Sequence, residues 1–148
     1  MIDILNKIYS VLKDDEKLMK ILDIKNVKFN DYPDVKDITK PYVVLDDFDD
    51  PIPEVHYDGE RAAYSYIVQI DVFVKANADY NARLRRNEIS QRISDLLWKE
   101  LKAGQVSNLG NEYNKEFALY RSTRRYEAIF YEEENYMVKY AKTPKSFI

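Results

Sequence analysis

The sequence predicts an α+β fold: an antiparallel or mixed β-sheet with a long amphipathic helix and an N-terminal helix packed on one face. Three observations carry this. Residues 64–75 alternate Tyr64, Tyr66, Val68, Ile70, Val72 and Val74 with Ser65, Gln69, Asp71 and Lys75, the period of a strand with one face on a core. Residues 79–102 place Ile89, Ile93, Leu96, Leu97 and Leu101 at helical spacing. The segment order is helix, β-rich middle, long helix, β, which suits helices laid on a sheet. At 148 residues the chain has the size of one domain, spanning 1–148.

The elements follow in order. Ile2, Leu5, Ile8, Tyr9 and Leu12 mark one face of a first helix, and Leu18, Met19 and Leu22 one side of a second over 15–22. Residues 26–29 read as a short strand, and Asp31-Tyr32-Pro33 as a turn. Pro41 to Leu45 is a compact strand with proline confined to its first position. Residues 46–60 carry Asp46, Asp47, Asp49, Asp50, Glu54, Asp58 and Glu60 with no Lys or Arg, and Pro51 and Pro53 exclude a helix. An acidic loop or irregular hairpin is expected there. In the strand that follows, Ile67 and Phe73 interrupt the polar face, which predicts that a partner covers part of it.

The long helix is expected to be capped by Asn77 or Asp79 and to end on a left-handed Gly104, with Arg83, Arg85, Arg86 and Arg92 mainly in its first half. Residues 105–113 read as a loop. Residues 117–131 read as a strand that changes register: Phe117 and Leu119 are apolar at odd positions, Tyr126, Ala128 and Phe130 at even ones, so a turn or bulge is expected near Ser122-Thr123. Tyr136, Val138 and Tyr140 suggest a last strand, and residues 142–148 a basic tail.

Composition mainly excludes. Lys and Arg number 23 against 26 Asp and Glu, a net charge of −3, which argues against a strongly basic nucleic-acid coat. Without residues 46–60 the remainder holds the same 23 basic residues against 19 acidic ones, so the molecule is electrically polarised. Cysteine is absent, His56 stands alone, and three glycines leave no phosphate-cradling loop. No cofactor is expected, and no enzymatic activity. No run approaches the ~20 apolar residues of a membrane span and the N-terminus lacks a signal peptide, so a soluble cytoplasmic protein with no membrane partner is expected. Thirteen tyrosines suit either a β-rich domain or a wet interface.

The residues offer two chemistries. Asp46, Asp47, Asp49 and Asp50 offer oxygen ligands for a hard cation, but the spacing lacks the glycine and terminal glutamate of a calcium loop. Asp71 lies four residues before Lys75 rather than the two of a paired-acid-plus-lysine nuclease, and no metal site is expected. His56 between Glu54 and Asp58 reads as a loop histidine. The second chemistry is nucleic-acid binding: Tyr120, Arg121, Arg124, Arg125 and Tyr126 interleave cations with aromatics over 120–131, which suits phosphate contacts plus stacking. The opposing reading is that these arginines pair with acids on neighbouring strands or another subunit.

The Pro41-Tyr42-Val43-Val44 strand, the acidic loop, the strand Tyr66 to Phe73, the long helix and the strand Leu119-Tyr120-Arg121 through Arg125 to Tyr131 together resemble the tail terminator, or tail completion, proteins of long-tailed bacteriophages. The resemblance covers roughly residues 2–131. It implies a structural protein, made in the host cytoplasm and carried into the virion at the head-proximal end of the tail. Such proteins form a ring, usually of six subunits, that caps the tail tube, stops its elongation and joins it to the head-side connector or stopper, with DNA passing through the lumen without specific binding. On that reading Arg121, Arg124, Arg125, Tyr120 and Tyr126 are candidate interface residues. Asp46, Asp47, Asp49, Asp50 and Glu54 form a candidate acidic loop at the lumen or at a subunit contact. A small nucleic-acid-binding protein using 120–131 is the alternative.

Overall fold

The computed structural model describes residues 2–57 and 60–131, with the side chains of 55–62 outside the description. The fold is a mixed six-stranded sheet with helices on one face. Its strands are β1 (Val27–Phe29), β2 (Tyr42–Asp46), β3 (Ile52–Tyr57), β4 (Glu60–Lys75), β5 (Gly104–Asn114) and β6 (Leu119–Tyr131). The order is β1-β2-β4-β6-β5, with β3 beside β2 on the same flank of β4. All pairs are antiparallel except β1 with β2.

β4 is the axis of the sheet because it has apolar side chains to bury from Ala63 to Val74. Tyr66, Val68, Ile70, Val72 and Val74 are buried under the helices, joined by Val43 and Leu45 of β2 and Tyr126 and Ala128 of β6. The helix layer is α1 (Ile4–Lys13), α2 (Glu16–Met19) and α3 (Ala82–Leu101). Each starts on a side-chain cap that satisfies an otherwise orphaned amide: Asp3 accepts from the Asn6 N–H, Asp15 from Leu18 and Asn81 from Leu84. Ile8 and Leu12 of α1 meet Ile89, Ile93 and Leu97 of α3 in the core. A bidentate Arg92–Asp15 pair, at 2.9 and 2.7 Å, ties the α1–α2 corner to α3.

Several expectations are corrected. β6 does not turn at Ser122-Thr123: it pairs with β4 in one unbroken register from Ala63↔Tyr131 to Lys75↔Leu119. Both ends of β6 are apolar on different faces because both faces are covered. Leu119 enters a second small cluster with Ile38, Val44 and Phe73 on the face away from the helices, while Tyr126 and Ala128 enter the main core. Phe73, 3 % exposed, is covered by this chain's own 3-10 turn (Val35–Asp37) and neighbouring residues, not by a partner.

Residues 105–113 are not a loop. They lie in edge strand β5, whose register shifts between Gln105 and Ser107 and between Asn108 and Gly110. These bulges, and exposure of nearly all its side chains, erase the alternation that marks a half-buried strand. Asn77 closes the turn before α3 by accepting from the Asp79 N–H at 2.8 Å, and Asn81 is the cap. The left-handed residue ending α3 is Lys102 (φ 52°), while Gly104 already belongs to β5. The acidic segment divides: residues 47–51 form a loop, and β3 makes a bulged hairpin with β4. The proposed strand at 136–140 and the tail 142–148 lie outside the described residues. Among the described residues no helix is long and apolar enough to cross a membrane.

Candidate functional site

Strand alternation divides the β6 residues between the two faces. Arg121 and Arg125, at odd positions, project from the open face with Gln69, Asp71 and Phe73 of β4. Tyr120, Arg124 and Tyr126, at even positions, lie on the face covered by α3. The five candidate interface residues are therefore not one surface.

On the open face the centre is Asp71, which is fully buried. A buried carboxylate is costly unless its oxygens are satisfied. Here Arg121 donates from Nε (2.9 Å) and Nη2 to Oδ2, Thr123 Oγ1 donates to the same oxygen at 2.8 Å, and Gln69 Nε2 donates to Oδ1 at 3.0 Å. Gln69 Oε1 accepts from Arg125 Nε at 3.1 Å. The Gln69 amide also reaches the Tyr32 hydroxyl (3.3 Å), which donates to Asp46 at 2.7 Å. The chain of contacts runs from the β1–β2 connection across β2 and β4 to β6.

Tyr32 is 41 % exposed as a residue, but its hydroxyl faces Asp46 and Gln69. Burial, then the Asp46 hydrogen bond and the charge of Asp71, push that hydroxyl well above the usual phenol range. Arg121 stacks over Phe73 and Arg125 over Phe48, with 5.1 and 4.2 Å to the ring centroids. Asp46 is thus bound into its own chain. Asp47, Asp49, Asp50 and Glu54 are exposed, and no cation among the described residues pairs with Asp47, Asp49 or Asp50.

Under α3 the arrangement is cationic. Arg124 Nη1 donates to Ser94 Oγ at 3.0 Å, and the same hydroxyl bonds the buried Tyr126 hydroxyl. Arg86 is 5 % exposed; its Nε and Nη2 donate only to the Asn87 side chain (3.1 and 2.9 Å), and its guanidinium lies 5.7 Å from the Tyr120 ring centroid. Burial first, then repulsion from Arg83 and Arg124, partly opposed by Tyr120, lower the Arg86 guanidinium from its ordinary value.

Asp71 and Arg86, the residues these two networks depend on, stand in the sequence as an acid on the polar face of β4 and as one of four arginines on α3. A charged residue at an odd position of β4, opposite an arginine-rich strand, was the available signal for the first. For the second the signal was phase: Arg86 lies three residues before Ile89 and seven before Ile93, on the apolar stripe, whereas Arg83 and Arg85 lie to either side of it. Asp71 has its donors in place within the chain, and the network ties β4 to β6. Among the described residues no three His, Asp or Glu side chains are grouped as metal ligands. A hollow of about 290 Å³ opens beside Arg121, lined by Val35, Phe73, Glu112, Tyr113 and Leu119 among others.

No protein-family model matches the chain, and no curated protein matches it. Among solved structures, a chain of the “Virion of native gene transfer agent (GTA) particle” aligns with a TM-score of 0.55 at 16 % identity, covering 84 % of this chain and 91 % of that one. At that identity the likeness is one of fold.

Proposed function

We propose that this chain is a non-enzymatic, single-domain structural subunit of a phage-like virion: the ring protein that caps the tail tube, stops its elongation and joins the tail to the head-side connector or stopper. The observation that carries this reading is the fold likeness to a virion component, which extends over most of both chains. The distribution of surfaces supports it. An exposed acidic loop on one face, and on the other an exposed Arg83 beside the half-buried Arg124, give one subunit two unlike sides, which suits head-to-tail packing into a closed ring. The edge strand β5, with Val106, Leu109 and Tyr113 about half exposed, adds apolar contact area for neighbours. DNA passes through the lumen of such a ring without specific binding, and the protein moves from the host cytoplasm into the head-proximal end of the tail.

The alternative, nucleic-acid binding through 120–131, needs its cations on one surface. Arg121 and Arg125 are instead engaged by Asp71 and Gln69 on one face, and Arg124 lies under α3 on the other. The test is native mass across concentration, with negative-stain imaging of any large species. A closed particle of about 106 kDa, roughly six copies of 17.6 kDa, is expected. A monomer at every concentration that binds DNA with a steep salt dependence would replace this reading with the alternative.

A further inference from the structure

Arg83, Arg86 and Arg124 form a cluster between the first half of α3 and β6, and among the described residues no carboxylate pairs with any of them. The acids nearest in sequence on α3 are engaged elsewhere: Glu88 pairs with Arg85, and Asp95 accepts from Gln91. Arg86 is buried with an amide oxygen and a tyrosine ring as its contacts. Two buried side-chain polar atoms lack a hydrogen-bond partner among the described residues, Arg124 Nε and Ser90 Oγ. Ser90 sits one turn along α3 from Arg86 and one turn before Ser94, the residue Arg124 touches. The first turn of α3 carries no acid, so the positive end of the helix dipole adds to the cluster. A buried guanidinium is normally matched by carboxylate or phosphate oxygens; that of Arg86 is not.

We propose that this cluster receives the acidic loop, Asp47, Asp49 and Asp50, of a second copy of the chain. The inference rests on the ring reading and names the contact that builds it. Charge complementarity within the sequence identifies the occupant: three exposed aspartates without a cation, against three arginines without an acid. The same chain cannot join them. The loop follows β2 and its Phe48 packs on Arg125 of the open face, whereas the arginines lie on the α3 side of the sheet. Pairing therefore occurs between copies, with unlike surfaces meeting. A phosphate oxygen has matching chemistry, but a chain with net charge −3 already carries its own unpaired anions.

The full chain lacks cysteine, which makes cross-linking specific. Arg83→Cys and Asp49→Cys chains, mixed and oxidised, should give a disulfide-linked pair that neither forms alone. Arg86→Met with Arg124→Met should weaken self-association at least tenfold while the monomer melts no lower than the parent, because an unmatched buried charge is removed. Asp47→Asn, Asp49→Asn and Asp50→Asn together should produce the same loss. Normal assembly of either folded set, or the absence of the mixed disulfide, overturns the proposal and leaves the ring reading standing. Assembly lost in the arginine set alone also overturns it, and binding of inorganic phosphate or a short DNA duplex by the parent would then identify the anion. A parent chain that stays monomeric at every concentration overturns this contact, and ends the ring reading as well if that monomer binds DNA with a steep salt dependence. If the methionine variant does not fold, the cross-link decides, since it leaves Arg86 and Arg124 unchanged.

Discussion

Asp71 and Arg121 make an unequal pair, and the inequality gives a measurable asymmetry. The Asp71 side chain is fully buried whereas that of Arg121 is 34 % exposed. Removing the arginine leaves a carboxylate with no route to water; removing the aspartate leaves a guanidinium that can rehydrate. Arg121→Met should therefore cost more stability than Asp71→Asn, with the latter at about 1–3 kcal/mol and the former toward about 3–5 kcal/mol. Urea unfolding of both variants and the double variant checks this. Equal costs would mean that Thr123 and Gln69 alone carry the carboxylate. The same geometry explains why the sequence could not separate the β6 arginines by role: the partners that define them, Asp71 for Arg121 and Ser94 for Arg124, lie 50 and 30 positions away in the chain.

Where elements meet, the Asp15–Arg92 pair links the α1–α2 corner to α3, and it makes stability depend on pH. The Arg92 guanidinium, through its hydrogen bonds, holds the Asp15 carboxyl below its usual 3.8, and Asp15 in turn raises Arg92. A carboxyl depressed by folding contributes stability that is fully present above its unfolded value and is lost as pH falls through the folded one. Asp15→Asn keeps a capping oxygen for Leu18 but loses the ion pair, so it should cost about 1–2 kcal/mol at pH 7. The gap between parent and variant should hold down to about pH 5 and close as the pH drops below the carboxylate range. Urea midpoints from pH 7 to pH 2.5 test this; a gap that stays constant would mean the ionised carboxylate is not its source.

The elements differ in how plainly they could be read. α1, β4 and α3 were legible because each keeps one regular apolar face, so its hydrophobic period survives in the sequence; β2, buried on both faces, was legible as a short apolar run behind Pro41. β6 buries residues on both faces at different ends, so it read as a register change. β5 buries almost nothing and is bulged twice, so it left no period at all.

At the scale of the whole molecule, polarity of charge was legible from the count alone, but not the surfaces that express it. The structure separates Asp46, tied to Tyr32, from the three free aspartates that follow it. This sharpens the loop's two candidate roles. If Asp47, Asp49 and Asp50 make the contact between subunits, assembly is partly ionic. Raising salt from about 0.05 M to about 0.5 M, which shortens the Debye length from well over 10 Å to about 4 Å, should then shift the native mass toward monomer. The loop variant with three asparagines should assemble poorly and respond little to salt. If the loop instead lines the lumen, like charges crowd together on closure. Salt or the asparagines should then strengthen the ring, and the changed property should be passage of DNA through it. The two roles thus predict opposite signs for one measurement, native mass against ionic strength. A ring indifferent to both salt and the asparagines would remove the loop from assembly and from the electrostatics of the lumen alike.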